Sequence, residues 1–451
     1  MDGSVTDNSG GGIFSAESLA LQRTLVSGCT AINSSVTSFA PGGGVAVYSS
    51  GSVTISHSSI TNNSSSFYGG GGYLTAGKGI TISHSRITGN TAERGGGGIA
   101  AELIEGTAKT IRITRCNVSG NTSQTNGGGI YADVTRGSAE AKCLITGSTI
   151  LNNHSYNDGG GVEVNGSSAI ANCIFATNRA GTYGGGIAAK HFVTVSLSKS
   201  RITGNLAKSL GGGGVFLSSR YGDGDAKITD DKITNNYTGG NGGGLLAYSD
   251  NSSPYLLKLK LRQCTISGNS AFQGGGVSVY HASYGSGAGP TTVNLQILDS
   301  QLSANASASY GGGLCDNGPG MVTISGTKAL KNTSEDNGGG IFISGVTSGM
   351  FKDLTLAKNS ADNSGGGMLI SADTVKIIGG SMTGNTARNT GGGLTIYSSA
   401  TIIKATISGN IAGVKGGGIY ANNYEIGVHN SIVSNNLATI DPDVSGPVTI
   451  T

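Results

Sequence analysis

The stretch Ile80-Thr81-Ile82-Ser83-His84-Ser85-Arg86-Ile87-Thr88-Gly89-Asn90 decides the fold, because fourteen well-matched copies of it lie between residues 53 and 438. The Ile82 position reads Ile55, Ile82, Ile113, Ile145, Ile170, Leu197, Ile228, Leu261, Ile297, Ile324, Phe351, Ile377, Ile402 and Val428. All are large and apolar, so this column is expected to point inward. The Ser85 position holds mostly Ser, Cys, Gly, Ala or Thr, which predicts a tight interior corner. The last position is asparagine in every copy: Asn63, Asn90, Asn121, Asn153, Asn178, Asn205, Asn236, Asn269, Asn305, Asn332, Asn359, Asn385, Asn410 and Asn436. Asparagine tolerates the left-handed backbone of a sharp turn, and its amide can donate and accept along a column of equivalent turns. A stacked asparagine ladder is expected, with Asn8 beginning the column and Ser34 substituting in the coil that follows.

Outward from this stretch, fifteen glycine triplets end at Gly12, Gly44, Gly72, Gly98, Gly129, Gly161, Gly186, Gly214, Gly244, Gly276, Gly313, Gly340, Gly367, Gly393 and Gly418, spaced 25 to 37 residues apart. A period in this range marks a stacked-repeat architecture. An alternating apolar segment follows each triplet, as in Val45-Ala46-Val47 or Ile341-Phe342-Ile343, and reads as strand one. Strand two contains the Ile82 column and strand three the Ile87 column. Three parallel strands per turn, stacking at about 4.8 Å per coil, predict an all-β, right-handed parallel β-helix solenoid of about fifteen coils. Residues 1–451 read as one continuous domain, with irregular first coils over 1–44 and a candidate C-terminal cap over 437–451. There Asp441-Pro442-Asp443 replaces the expected triplet, while residues 14–25 are the candidate cover for the first coil.

Composition narrows the function. Glycine fills 81 of 451 positions, tryptophan none and proline 6, which excludes an ordinary helical enzyme and, without a Gly-X-Y period, collagen. A net charge of +3 from 28 basic and 25 acidic residues gives no electrostatic footprint for nucleic acid. No apolar run is long enough to insert directly into a membrane.

The glycine triplet with its following apolar residue, paired with the asparagine motif, resembles the polymorphic outer membrane protein repeats best known from chlamydial autotransporter adhesins. Phe175-Ala176-Thr177-Asn178 fits the Phe-x-x-Asn motif literally, and other copies replace Phe with Ile, as in Ile202-Thr203-Gly204-Asn205. The resemblance covers almost the whole chain and implies a secreted passenger, extracellular or on a bacterial cell surface, used in adhesion or surface display. No signal peptide opens the sequence and no C-terminal barrel segment follows it, which departs from that pattern.

Candidate chemistry is sparse. Cys116, Cys173 and Cys264 share the Ser85 column but lie two or three coils apart, beyond disulfide reach; with Cys29, Cys143 and Cys315 they read as small buried thiols. His57 and His84 share a corner on adjacent coils, followed by Arg115, and read as a solvated stack, not a metal site. Parallel β-helices also carry lyases and hydrolases, which need clustered carboxylates or a base. The one Asp pair is Asp230-Asp231, with Arg220, Asp223, Asp225 and His191 as its candidate neighbours, and no coil shows an elaborated acid and base cluster. No catalytic, cofactor-binding or metal residue is assigned, and no cofactor is expected.

The informative surface is strand one, whose outward column is read as Leu74, Tyr131, Phe216, Leu246, Phe342, Leu369 and Tyr420, with Tyr48, Tyr248, Tyr280 and Tyr397 two residues later. This aromatic strip is either a partner-binding surface or is covered by the variable loops over 218–227, 249–257 and 281–292. The reading is a non-catalytic surface β-helix, adhesin passenger or rigid spacer, meeting a host or neighbouring cell-surface protein or glycan. Polysaccharide cleavage is the alternative, and head-to-tail self-association into a filament is the third reading.

Overall fold

The structure, a computed structural model, describes residues 4–6, 10–32, 40–104, 109–219, 222–250, 255–282 and 292–451. Asn8, Ser34 and Arg220 lie outside the described residues, as do parts of the three variable loops. The chain forms two compact units, Met1–Ser219 and Arg220–Thr451, each built from the same coil.

One coil of the first unit shows how local sequence makes the turn. Its strands are Gly72–Ala76, Gly79–Ser83, Arg86–Thr88 and Thr91–Ala92. The first two belong to one broad sheet, and the third and fourth each to a sheet of their own, so a coil has three faces. Each strand pairs in parallel with its counterpart in the next coil. Three left-handed residues make the bends here: His84 (φ 49°), Gly89 (φ 67°) and Gly96 (φ 73°). In the second unit the strand-one and strand-two segments fuse into the single strands Ile341–Lys352 and Met368–Ile378.

Alternation sends every second side chain into the interior. The Ile82 column is buried in both units, from Ile55 and Ile82 to Phe351 and Val428, as its composition predicts. The next inward column is buried too, with Ile60, Ile87, Val118, Ile150, Phe175 and Ile202 in the first unit. Each such side chain contributes about 1.5–3 kcal/mol from apolar burial, and stacking makes the contribution recur every coil.

The three glycines of a triplet are required for different reasons. In Gly96-Gly97-Gly98 the first takes the left-handed bend. A Cβ on Gly97 would lie 2.4 Å from the carbonyl oxygens of Gly128 and Thr122 in the next coil, and one on Gly98 would lie 2.5 Å from Gly129 O. Backbone approaches backbone there, leaving no room for any side chain.

The ladder is present and saturated. Asn121 Nδ2 donates to Asn153 Oδ1 at 2.9 Å and to Ile87 O at 3.0 Å, while its Oδ1 accepts Asn90 N at 3.0 Å and Asn90 Nδ2 at 2.9 Å. The pattern runs from Asn63 to Asn205 in the first unit and from Asn236 to Asn436 in the second. Two expectations are corrected. The left-handed residue is the one before the asparagine, such as Asn62, Thr177 or Asn235, so the ladder residue is selected for its amide and not for the bend. The coil preceding Asn63 places Cys29, not Ser34, at the ladder position: Val26 pairs with Ile60, and Cys29 N donates to Asn63 Oδ1 at 2.9 Å.

The Ser85 column is buried and forms a second, shorter-armed ladder. Ser58 N donates to Ser85 Oγ, Cys116 N to Ser148 Oγ and Cys264 N to Ser300 Oγ, each at 3.1 Å. The cysteines are buried and not joined in disulfides, with Cys116 Sγ against Ile82 O at 3.6 Å. Burial pushes Cys143 up to about 12 and Cys264 up to about 11, so these two thiols stay protonated and unreactive.

Both candidate covers are coil segments instead. Strands Ile13–Ser15, Leu19–Gln22 and Leu25–Ser27 pair in parallel with Val45–Ser49, Ser52–Ser56 and Ser59–Thr61. Val444–Ser445 and Val448–Ile450 extend the sheet from Ile419–Ala421 and Ile426–His429, with Asp441 to Asp443 standing in the triplet's place.

Candidate functional site

The strand-one face rises from two outward columns. In the first unit they run Ala46–Tyr73–Ala100–Tyr131–Glu163–Ala188–Phe216 and Tyr48–Thr75–Glu102–Asp133–Asn165–Lys190–Ser218. In the second they run Leu246–Ser278–Cys315–Phe342–Leu369–Thr395–Tyr420, and beside it Tyr248–Tyr280–Asn317–Ser344–Ser371.

Leu74 does not belong to the strip. It pairs with Val47 and Ala101 and is fully buried, because Gly69–Gly71 is the structural triplet and Gly72 stands where Val45 and Ile99 stand. A run of four glycines hides the frame, and a shift of one residue reverses which face a strand residue occupies. Tyr73 is the outward residue.

The rest of the expected strip is less exposed than alternation alone implies. Phe216, Leu246 and Leu369 are buried, and Tyr131, Tyr248, Tyr280, Phe342, Tyr397 and Tyr420 are half-buried, whereas Tyr48 is 39% exposed. The cover comes from the residue just before a triplet. Tyr183 stacks on Phe216 at 4.2 Å and Tyr310 on Phe342 at 4.6 Å between ring centroids. Tyr68, also just before its triplet, lies 6.0 Å from Tyr131 and 6.2 Å from Tyr73. Tyr248 and Tyr280 stack on one another at 6.1 Å. The signal was the recurring Tyr-Gly-Gly-Gly, at Tyr68, Tyr183 and Tyr310.

A polar cluster that sequence reading misses lies among these aromatics. Lys190 Nζ pairs with Asp158 and, at 3.2 Å, with Glu163 Oε1. Tyr183 N donates to Asp158 Oδ1 at 2.9 Å. Tyr73 donates to Glu102 Oε2 at 3.2 Å, and Asn165 Nδ2 donates to Tyr131 Oη at 3.1 Å. Burial pushes Glu163 up to about 7 despite Lys190, and burial with the Asp133 charge raises Glu102. Burial opposes the charge on Lys190, but Glu163 and Asp158 outweigh it and hold the ammonium above its ordinary range. Glu163 Oε2 has no hydrogen-bond partner among the described residues. An ionic group this buried occupies a column that elsewhere holds Ala, Tyr or Phe, and apolar residues would pack there at least as well.

The Asp230-Asp231 region does not assemble as a site. Asp231 is buried in the small corner column and accepts Thr229 N at 3.2 Å. Asp230 takes the left-handed corner, Asp225 pairs with Lys227 at 3.0 Å, and Asp223 accepts Leu256 N at 2.8 Å. No group of three or more His, Cys, Asp or Glu side chains able to hold a metal occurs among the described residues. No described helix is long and apolar enough to cross a membrane.

Stacked parallel strands around an apolar interior in each unit, with polar ladders at the corners, define a parallel β-helix protein. Residues 97–297 match the family model for the right-handed beta helix region, which carries the handedness. Residues 404–422 match the Chlamydia polymorphic membrane protein repeat, in agreement with the resemblance of the repeats. No curated protein matches the chain.

Proposed function

We propose that the protein is a non-catalytic, extracellular or cell-surface β-helix that acts as an adhesin passenger or rigid spacer, with the accessible tyrosines of the strand-one face as its partner surface. The observation that carries this reading is the coil-to-coil uniformity of the ladder, a scaffold that holds side chains on one face at a constant spacing. The polymorphic membrane protein repeat at 404–422 supports the surface location. The partner is a host or neighbouring cell-surface protein or glycan, met by Tyr48, Tyr131, Tyr248, Tyr280, Tyr397 and Tyr420, whose rings offer apolar faces and polar tips.

The test is to incubate the purified chain with a polysaccharide panel and with intact host cells, following polymer length, co-elution and saturable cell binding. Unchanged polymer length with saturable binding, weakened by Tyr248→Ala with Tyr280→Ala, is the expected outcome. Shortened polymer would replace this reading with carbohydrate cleavage, and the Glu163 cluster would be where to look. Absence of both would leave the spacer, and growth of scattering mass with concentration would point to the head-to-tail filament.

A further inference from the structure

The corner between strands two and three carries a feature that adhesion through strand one does not use. In four successive coils of the first unit this corner is Arg23, His57, His84 and Arg115, held in register by the strands before it. All four are exposed, and all four have left-handed backbone, with φ of 51°, 50°, 49° and 52°. The rings of His57 and His84 stack with centroids 4.8 Å apart and planes within 3°. Arg115 Nη1 lies 3.5 Å from His84 Nε2. A groove of about 580 Å³ runs along the row; Arg86 also lines it, with Ser59 and Asn117, and no carboxylate does among the described residues.

This placement runs against local preference. A left-handed corner favours glycine, asparagine or aspartate, and arginine gains nothing from it. The same corner continues as Gly147, Asn172 and Lys199 in the first unit, and carries Asp230, Gln263, Asp299, Gly326, Asp353, Gly379, Lys404 and Asn430 in the second, so only over Arg23 to Arg115 do basic residues follow one another. A row of basic groups at one coil's spacing, with no acid beside it, is complementary to a linear array of negative charge.

We propose that this corner groove binds a linear anionic polysaccharide through its sulfate or carboxylate groups. From Arg23 to Arg115 the row spans three coil rises, roughly 14 Å. An extended pyranose chain advances by a similar step per sugar, so acidic groups on neighbouring sugars meet neighbouring coils. The guanidinium groups of Arg23, Arg86 and Arg115 hold such oxyanions in paired hydrogen bonds, and the imidazoles occupy the interval between them. Single-stranded nucleic acid needs aromatic platforms for its bases, and the rings that line the groove, His57 and His84, are already stacked on one another, with no Phe or Tyr beside them. An anionic membrane is met by a broad polybasic surface, not a single file. The site lies apart from strand one and stands whether or not the adhesin reading does.

The test is binding of the whole chain to sulfated heparin oligosaccharides by calorimetry, with dextran, an oligodeoxynucleotide and phosphatidylserine vesicles as comparison probes. The chain binds heparin and not dextran, and affinity falls as salt rises. Arg23→Ala combined with Arg115→Gly, the glycine keeping the left-handed corner, lowers affinity by about tenfold or more. Lys404→Gly, at the same corner of the second unit, leaves affinity unchanged. Melting curves accompany each variant, and His57→Asn with His84→Asn serves as a second pair if the arginine variant is destabilised, since asparagine is native to this corner at Asn172. Unchanged heparin affinity in the corner variants, or tighter binding of the oligodeoxynucleotide or the vesicles than of heparin, would overturn the proposal.

Discussion

The side-chain amide of Asn436 donates to Asp443 Oδ1 at 2.9 Å, and the same oxygen accepts the Asn436 backbone N–H at 3.1 Å. Asp443 therefore takes the role that asparagine plays in each preceding coil, from a point seven residues on in the same chain. A carboxylate accepts both bonds without needing to pass a donor onward. Asp443→Asn is expected to be near neutral, and Asp443→Ala to cost about 1–3 kcal/mol by stranding the buried Asn436 N–H and leaving its amide with only Ile407 O and Ser434 O. Denaturant melts of both variants check this, and equal stabilities would remove the terminator role.

Within the ladder the cost is larger. Asn332 Nδ2 donates to Leu302 O and Asn359 Oδ1, each at 3.0 Å, and its oxygen accepts Asn305 N and Nδ2, also each at 3.0 Å. Asn332→Ala leaves a carbonyl and two donors buried and unpaired, an expected loss of about 3 kcal/mol or more. An unchanged melting curve would refute the ladder as a source of stability.

Asp316 occupies an inward position of strand one, in register with Val279 and Ile343. It is buried, neither carboxyl oxygen has a hydrogen-bond partner among the described residues, and burial holds its carboxyl well above the usual range. Its neighbours in the column are apolar, so Asp316→Val is expected to raise stability by about 1–3 kcal/mol. A lower denaturation midpoint would show that the carboxyl is needed where it stands.

Glu163 makes stability depend on pH. Its folded value of about 7 lies above the ordinary 4.5, so between these limits the native state binds more protons than the unfolded chain. Unfolding free energy is then highest below 4.5, falls as pH rises through the window and levels off above 7. Glu163→Gln should flatten this part of the profile, as read from midpoints at constant ionic strength. Lys190 acts at the other end, its contribution being complete below 10.5 and lost only above it.

Two glycines separate crowding from conformation. Gly97→Ala forces a Cβ to 2.4 Å from two carbonyl oxygens of the next coil, whereas at Gly120 (φ 64°) the nearest atom lies at 4.0 Å. Gly120→Ala should cost about 1–2 kcal/mol, the left-handed penalty alone. Gly97→Ala should cost clearly more, because the coils themselves must separate. Similar melting shifts for the two would contradict the close approach.

Much of the fold is legible in the repeat. The large apolar residues at the Ile82 position and the invariant asparagine at the Asn90 position mark the inward column and the ladder because every coil meets the same neighbours above and below. The frame is lost at the four glycines Gly69–Gly72, where reading the triplet one residue late puts Leu74 on the wrong face, and in the first coils, where Cys29 and not Ser34 holds the ladder position. The candidate site was less legible. Asp158, Glu163 and Lys190 are isolated charges along the chain, and nothing local marks them as partners. The closest sign is Glu163 in a column otherwise holding Tyr131, Ala188 and Phe216.

The sequence by itself determined the period, the inward columns and the asparagine ladder, since a repeat imposes one local environment on each equivalent residue and only suitable side chains satisfy it. Tertiary structure alone decided which outward residues stay accessible. Coil stacking brings Tyr183 over Phe216 and Lys190 beside Glu163. Those encounters join residues about 27 to 33 positions apart, and their consequence depends on burial and charge that no single coil possesses.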